Sequence, residues 1–428
     1  MVILLVFGTG DGGSTPLGTI FLLNNYQMFL RDDHMENILL VGVNTRAVAC
    51  SLKKLGYNIY SADYFGTSDS KSCTDYQKSF LHQKPLISCG YFAQNFHPHI
   101  IKEMALEMAH EVDSIICCAG ASPSWFHASK IIGNRDVGMV EDKFFLFEKL
   151  KDIFNLPETY LPADIYEIQE IIKNYNEKEF ILKPRHGAGG YGVRMAGDLD
   201  LIFKMGYDGR ITPGKMNLDD EIESRQWILQ EFIGGENISA SVLSNGDEAR
   251  TILTSTQIIG NCELGQKEPF GYCGNLVPNT GIENISEMAS KVVGHLSLIG
   301  SNGVDFISRN GELYLIEVNP RLQGTFECAE LSLDVNMAEL HLAACHGHLM
   351  EVPPPRRFSV KMVVHARHRS QWKDLNIPGI YDLPYPGVII EKGEPMVTIV
   401  TSHGVMEDAM FAAKRLAGIV YNSVKHCK

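Results

Sequence analysis

Between residues 35 and 140 the chain alternates short, unbroken apolar runs with segments whose apolar residues recur at helical spacing. Residues 38–43, 58–62 and 114–118 predict strands buried on both faces, because none of them shows a polar alternation. Helices are predicted around residues 47–55 and 99–111. Strands that alternate with helices in this way predict a doubly wound α/β layer.

The pattern changes after residue 140. Phe144, Phe147 and Leu150 share one face of a predicted helix that starts at Asp142-Lys143, and residues 165–175 predict another. Residues 179–184 form an apolar strand that runs into a glycine-rich loop. Residues 227–233 and 237–243 alternate as strands, and residues 286–299 carry an amphipathic helical pattern. Asp305-Phe306-Ile307-Ser308, the turn Arg309-Asn310-Gly311-Glu312 and the apolar run from Leu315 predict a hairpin. Pro353-Pro354-Pro355 marks a linker, followed by strand-like runs at 358–366 and 388–400 and a helix at 407–425. The domains expected are therefore 35–138, 139–350 and 356–428. Residues 1–34 are expected to be an extension, with the functional chain opening at Met35. The loop Phe7 to Ser14 within that extension lacks a Walker lysine and a full glycine fingerprint.

Three domains also suit 428 residues at roughly 150 per domain. A net charge of −13 with no compensating basic run argues against nucleic acid as a partner. No stretch approaches the about 20 apolar residues of a membrane span, and no secretory leader is recognised. The ten cysteines are scattered without a C-x-x-C pair. They are expected to be reduced thiols of a cytoplasmic protein.

The chemistry concentrates in the hairpin. Glu317 and Asn319 are two apart and project from one face of a strand, and the turn returns that strand to Asp305. Two carboxylates and an amide oxygen form a hard, oxygen-only set. Such a set suits Mg²⁺, which keeps positions open for water and phosphate oxygens. Arg321 lies two residues beyond. Upstream, Gly187, Gly189, Gly190 and Gly192 lack Cβ atoms where backbone N–H groups can close on phosphate. Lys183 ends an apolar strand just before them, a position that a phosphate partner explains. Gln230-Glu231-Phe232-Ile233 can offer its backbone to a purine edge, and Glu236 can accept from ribose hydroxyls.

In order and spacing these segments resemble the ATP-grasp superfamily over residues 38–350, with the biotin-carboxylase and carbamoyl-phosphate-synthase branch nearest in flavour. The resemblance implies a Rossmann-like pre-ATP-grasp domain, a two-part ATP-grasp domain and a small β-rich C-terminal domain, α/β and α+β in class. It implies ATP and Mg²⁺ (Mn²⁺ as an alternative ion) as cofactors. Lys143 and Lys183 would bind ATP phosphates under the glycine loop. Gln230, Glu231 and the backbone of Phe232 and Ile233 would hold adenine, and Glu236 the ribose. Asp305, Glu317 and Asn319 would bind metal, and Arg321 would steady the phosphorylated intermediate. The implied reaction joins a small-molecule carboxylate to an amine through an acylphosphate. Two alternatives share these residues: a bicarbonate-phosphorylating carboxylase and an ATP-binding regulatory module without turnover. A homodimer is compatible with the resemblance.

Acceptor specificity is expected in the first domain, at Asn44, Arg46 and Asp63, and in loops around Tyr272 to Asn275. His341, His346 and His348 are expected to be structural rather than a metal site, and Cys117-Cys118 to be buried packing. A basic strand holding His365, Arg367, His368 and Arg369 is weighed as a second approach to the substrate.

Overall fold

The computed structural model describes residues 36–198, 225–282 and 284–427; the expected extension at 1–34 and its glycine loop lie outside them. The first apolar runs form a parallel sheet of β1 (Asn37–Gly42), β2 (Asn58–Asp63), β3 (Tyr76–Ser79) and β4 (Ser114–Cys117), in the order β3-β2-β1-β4. In the central β1, Ile38, Leu39, Leu40 and Val41 are all fully buried. Ile38 and Leu40 pack with Val48, Ala49 and Leu52 of α1 (Arg46–Lys54). Leu39 and Val41 pack with Ile101, Ala105 and Met108 of α2 (Pro98–Met108). Covering on both faces is why the strand carries no alternation. The chain leaves β1 on one side and returns to β4 on the other, so a crevice opens at their carboxyl ends. There Val43 N–H donates to the Ala119 carbonyl at 2.7 Å.

Two expectations for this layer are corrected. Asp63, expected to help select the acceptor, ends β2, where it is buried and accepts from Gly66 N–H at 2.9 Å and the Thr45 hydroxyl at 3.3 Å. It therefore holds its own loop and is not displayed to a substrate. Cys50 and Cys73 are joined in a disulfide, which corrects the expectation that all ten cysteines are reduced. Packing of α1 on the short turn Asp69–Ser72 brings their Cα atoms to 4.7 Å. Two cysteines 23 residues apart give no spacing signal for that pairing.

The helix predicted after Asp142 is α3 (Lys143–Leu150). A four-stranded antiparallel sheet follows, ordered β5-β8-β6-β7, from β5 (Thr159–Tyr160), β6 (Phe180–Pro184), β7 (Arg194–Met195) and β8 (Trp227–Glu231). The helix α4 (Ile165–Asn174) covers it with the fully buried Ile168.

The larger sheet has eight strands, ordered β13-β12-β9-β10-β11-β14-β18-β16, with every neighbour antiparallel. They are β9 (Glu236–Asn245), β10 (Ala249–Ile259), β11 (Tyr272–Val277), β12 (Ile299–Arg309), β13 (Glu312–Asn319), β14 (Phe358–His365), β16 (Ile380–Tyr381) and β18 (Pro395–His403). The helix α5 (Ile285–His295) buries Ala289, Val292 and Val293 against β9, β12 and β13. It stops four residues short of the expected end, because Ile299 already opens β12. The helices α6 (Phe326–Leu333) and α7 (Met337–Cys345) share a core with α1 of the first layer.

The strands beyond the proline linker continue this same sheet. Gly274 of β11 makes the join close: a Cβ there would lie 1.9 Å from the Lys361 carbonyl oxygen. The expected strand over 388–400 is split into β17 (Ile389–Ile390) and β18 by a turn at Gly393, whose φ is +90°. The final helix, α8 (Met406–Ser423), packs on β14 and β18. Among the described residues no helix is long and apolar enough to cross a membrane.

Candidate active site

A cavity of about 1480 Å³ is lined by the ends of the first layer, both later sheets and the glycine loop. Lys143, Lys183, Asp305, Glu317, Asn319 and Arg321 all face it. Local chemistry explains most of these placements. Asp142 caps α3 by accepting from Phe144 and Phe145 N–H at 3.0 and 3.1 Å, which fixes Lys143 at the first helical position. The same carboxylate takes Arg185 Nε at 2.7 Å, and His186 lies 3.5 Å away. One buried aspartate thus ties the start of α3 to the start of the glycine loop. Lys143 Nζ donates to the Gly187 carbonyl at 2.8 Å and lies 3.6 Å from Glu317.

Lys183 is buried on β6 between Leu182 and Pro184. Burial, reinforced by the charge on Lys143 and opposed by Glu317, brings its pKa down to about 7. In the loop, Gly189, Gly190 and Gly192 have φ of +70°, +74° and +79°. Gly190 also sits where a Cβ would meet the Phe270 carbonyl oxygen at 1.8 Å, so no other residue fits there. The neighbouring carbonyl of Gly189 accepts from Tyr272 N–H at 3.1 Å. Tyr272 to Asn275 therefore belong to β11 rather than to a loop and brace the glycine loop, with Tyr272 and Asn275 on the cavity wall.

The hairpin forms as predicted, with Asp305 directly opposite Glu317 and Gly303 opposite Asn319. Burial would push Glu317 up, but Lys143, Lys183 and Arg321 outweigh it and hold the carboxyl below its ordinary value. Asp305 moves the other way, raised by burial and then by the Glu317 charge. Its Oδ1 is buried with no hydrogen-bond partner. The Asn319 amide nitrogen bridges the pair, donating to Asp305 Oδ2 at 3.1 Å and Glu317 Oε1 at 3.2 Å. Its oxygen accepts from Arg321 Nη2 at 3.0 Å. A ligand role for that oxygen requires the amide to turn over.

Two opposed carboxylates, one with an orphaned oxygen, fit a divalent cation. Among the described residues no group of three or more His, Cys, Asp or Glu side chains is placed to hold a metal. Asp305 and Glu317 would therefore need the amide, water and phosphate to complete the shell.

The purine-edge segment is more constrained than its sequence suggests. Gln230 is buried and donates to Thr159 Oγ1 at 2.8 Å. Glu231 pairs with Lys178 at 2.9 Å. The N–H groups of Glu231 and Phe232 donate to the carbonyls of Glu158 and Glu179, each at 2.8 Å. A purine edge would meet the remaining backbone of Phe232 and Ile233, both of which line the cavity. Glu236 corrects an expectation: it is not on the cavity wall. It accepts from Thr256 Oγ1 at 3.0 Å and Asn279 Nδ2 at 3.1 Å. Strand alternation gives the wall instead to Asn237 and Ser239.

Several cavity residues are held by partners that the sequence did not indicate. Arg46, named only as an acceptor candidate, is buried and paired with Glu327 and Asp382 at 2.7 Å each and with Asp69 at 3.6 Å. Lys361 reaches Glu327 at 3.2 Å. Glu327 and Asp382 stand 281 and 336 residues from Arg46, beyond any local pattern. Of the basic strand, His365 reaches the cavity, whereas Arg367 lies over Tyr421 and His368 against His426. His341 accepts from Ser301 N–H at 2.9 Å, and its buried ring is pushed down to about 4. It is a packing residue, as expected.

With that geometry in place, residues 140–325 match the family model of the ATP-grasp domain. The matched span contains both lysines, the glycine loop and the Asp305–Arg321 hairpin. Over residues 140–325 the chain carries an ATP-grasp domain. This ATP-grasp assignment carries ATP and Mg²⁺ as working ligands. The chain is 29% identical to an uncharacterized protein of Methanocaldococcus jannaschii over 402 residues, 90% of this chain and 94% of that one. It is 28% identical to tyramine–L-glutamate ligase of the same organism, over 41% of this chain and 57% of the ligase. In fold, the ATP-grasp chain resembles the biotin carboxylase domain of Hydrogenobacter thermophilus 2-oxoglutarate carboxylase. That likeness has a TM-score of 0.66 at 15% identity and covers 90% of each chain. It also resembles N5-carboxyaminoimidazole ribonucleotide synthetase of Thermotoga maritima, with a TM-score of 0.61 at 16% identity over 92% of this chain and all of that one.

Proposed function

We propose that this ATP-grasp protein is a ligase that phosphorylates a small-molecule carboxylate with ATP and passes the acyl group to an amine. The observation that carries this reading is the meeting of Lys143, Lys183 and Arg321 around the Asp305–Glu317 carboxylate pair, beneath a glycine loop. Lys143 and Lys183 bind phosphate oxygens, with the loop Gly187 to Gly192 closing its backbone over them. The base lies against the backbone of Phe232 and Ile233. Bound Mg²⁺, held by Asp305 and Glu317 with Asn319, would supply charge neutralisation at the phosphate oxygens.

The acceptor carboxylate is oriented by Arg321. Its oxygen attacks the γ-phosphorus as the bond to ADP breaks, giving an acylphosphate. The amine then attacks the acyl carbon, loses its proton, and inorganic phosphate leaves. The protein's contribution is positioning and electrostatics, so no side-chain nucleophile is needed. An ATP-consuming ligase of this kind is proposed to work in the cytoplasm.

Screening ADP release against paired carboxylate and amine libraries tests this reading. ADP formation that needs both partners supports the ligase. Dependence on bicarbonate alone would move the assignment to a carboxylase, a reaction that uses the same ATP residues. Glu317→Ala should lower turnover by at least about 100-fold, the scale of losing one preorganised electrostatic group, while thermal unfolding stays cooperative. Wild-type ADP release by that variant would remove the site assignment.

A further inference from the structure

Beside the Asp305–Glu317 pair stands a further carboxylate that no step above uses. Glu141 lines the same cavity and is only half-buried. It closes a short helix, Gly138–Glu141, where its N–H donates to the Val137 carbonyl at 2.9 Å. The segment around it is pinned at both ends. Asn134 Nδ2 donates to the Pro320 carbonyl at 2.9 Å, next to Arg321, and Asp142 caps the helix that begins at Lys143. Glu141 is therefore held close to both cations.

Burial raises the Glu141 carboxyl above its ordinary value; Arg321 and then Lys143 oppose the rise, and Glu317 adds to it. On the first-layer side, the Cys117 thiol at the end of β4, pushed up chiefly by burial, also feels the Glu141 charge. Yet among the described residues the carboxylate has neither a hydrogen-bond nor an ion-pair partner. Both nearby cations are engaged elsewhere, Lys143 Nζ on the Gly187 carbonyl and Arg321 Nη2 on Asn319 Oδ1. Nor does Glu141 join the metal pair, since among the described residues no three carboxylate, histidine or cysteine side chains are placed to share a metal. A half-buried carboxylate that accepts no hydrogen bond has given up hydration without replacing it. A ligand that brings N–H donors and positive charge would restore both.

The proposed reaction brings such a ligand. An alkyl amine resembles the lysine side chain, with an ordinary pKa of about 10.4, so it arrives at neutral pH as an ammonium ion. In that form it has no lone pair with which to attack.

We propose that Glu141 receives the amine substrate as its ammonium ion, on the first-layer side of Arg321, and takes the proton that frees its lone pair. The assignment names a catalytic residue for the ligase proposed above and rests on that reading. The ammonium N–H bonds to the Glu141 carboxylate, and the proton passes to it. The freed lone pair forms the C–N bond at the acyl carbon as the carbon–oxygen bond to phosphate breaks. Phosphate leaves with that electron pair and takes the second proton from the nitrogen. Glu141 then returns its own proton to solvent. A carboxylate raised by burial accepts a proton more readily than an exposed one, which suits this role.

Hydroxylamine tests the assignment, because it is uncharged at pH 7.5 and attacks an acylphosphate without first giving up a proton. The full chain is supplied with ATP, Mg²⁺ and the carboxylate found by the screen above, together with either the amine found there or hydroxylamine. Glu141→Gln, which keeps the size of the side chain, should slow amine-dependent ADP release at least about 100-fold, the scale of losing one general base, while hydroxamate formation changes by less than about threefold. A variant that still makes hydroxamate is folded and still activates the carboxylate, so a selective loss cannot come from unfolding. Equal loss with both nucleophiles, or no loss with the amine, would overturn the proposal and leave the ligase reading standing. A wild type that makes no hydroxamate from any carboxylate of the library would remove the ligase reading, and this assignment with it.

Discussion

Nucleotide binding should consume a proton at Lys183, and the size of the effect follows from its surroundings. In the free protein, burial and the Lys143 charge bring this lysine to about 7, so above that pH it is mostly neutral. A polyphosphate placed against it favours the charged form and returns the pKa towards the ordinary value of about 10.4. Between the two values the complex holds more protons than the free partners, so affinity falls as pH rises. With a free pKa of about 7 and a bound pKa near 10.4, the dissociation constant scales as 1 + 10^(pH−7). Affinity for MgADP should then drop roughly 25-fold from pH 7.5 to pH 9, about 1.9 kcal/mol. The diphosphate is fully ionised throughout that window, so its own titration does not contribute. Calorimetry in buffers of different ionisation enthalpy reads the proton directly: nearly one proton should be taken up per MgADP at pH 8.5, where Asp305, itself raised to about 7, is already ionised and releases almost none. Lys183→Arg, always charged, should flatten the affinity profile and abolish the uptake. Affinity independent of pH over this window, with no proton uptake by the wild type, would show that Lys183 does not meet the phosphates.

Two further outcomes follow from the packing. Gly190→Ala places a Cβ against the Phe270 carbonyl at a positive φ; MgADP affinity should fall at least about tenfold while unfolding stays cooperative, and unchanged affinity would mean the loop does not close on the nucleotide. Arg46→Met leaves Glu327, Asp382 and Asp69 with too little positive charge among them; the loss should be about 3–5 kcal/mol, read from denaturant unfolding, and a loss under about 1 kcal/mol would refute the buried-cluster account.

Much of the site was legible because it is built from short-range chemistry. The turn Arg309 to Glu312 sets the hairpin register, and register places Asp305 opposite Glu317. Asp142 before Lys143 is a helix cap, and its acceptance of two N–H groups is a local event. Lys183 stood out because an apolar strand does not end on a charge without a partner. Glu236 was misplaced for an equally definite reason. Alternation tells which residues share a strand face, but not which face meets the cavity, and here that face carries Asn237 and Ser239.

The sequence by itself therefore determined the order of elements, the doubly wound first layer, and the segments that carry the lysines, glycines and carboxylates. All of these depend on periodicity, capping and turns spanning a few residues. Tertiary structure alone decided the rest. It turned the Asn319 amide nitrogen toward the two carboxylates, paired Cys50 with Cys73, and joined β14 to β11 so that the last strands extend the central sheet. It also set Arg46 among Glu327, Asp382 and Asp69, and brought Glu141 within reach of the Arg321 charge. A buried charge is defined by partners that reach it from distant parts of the chain. No local pattern encodes them, because the energy that fixes them arises only when the layers pack.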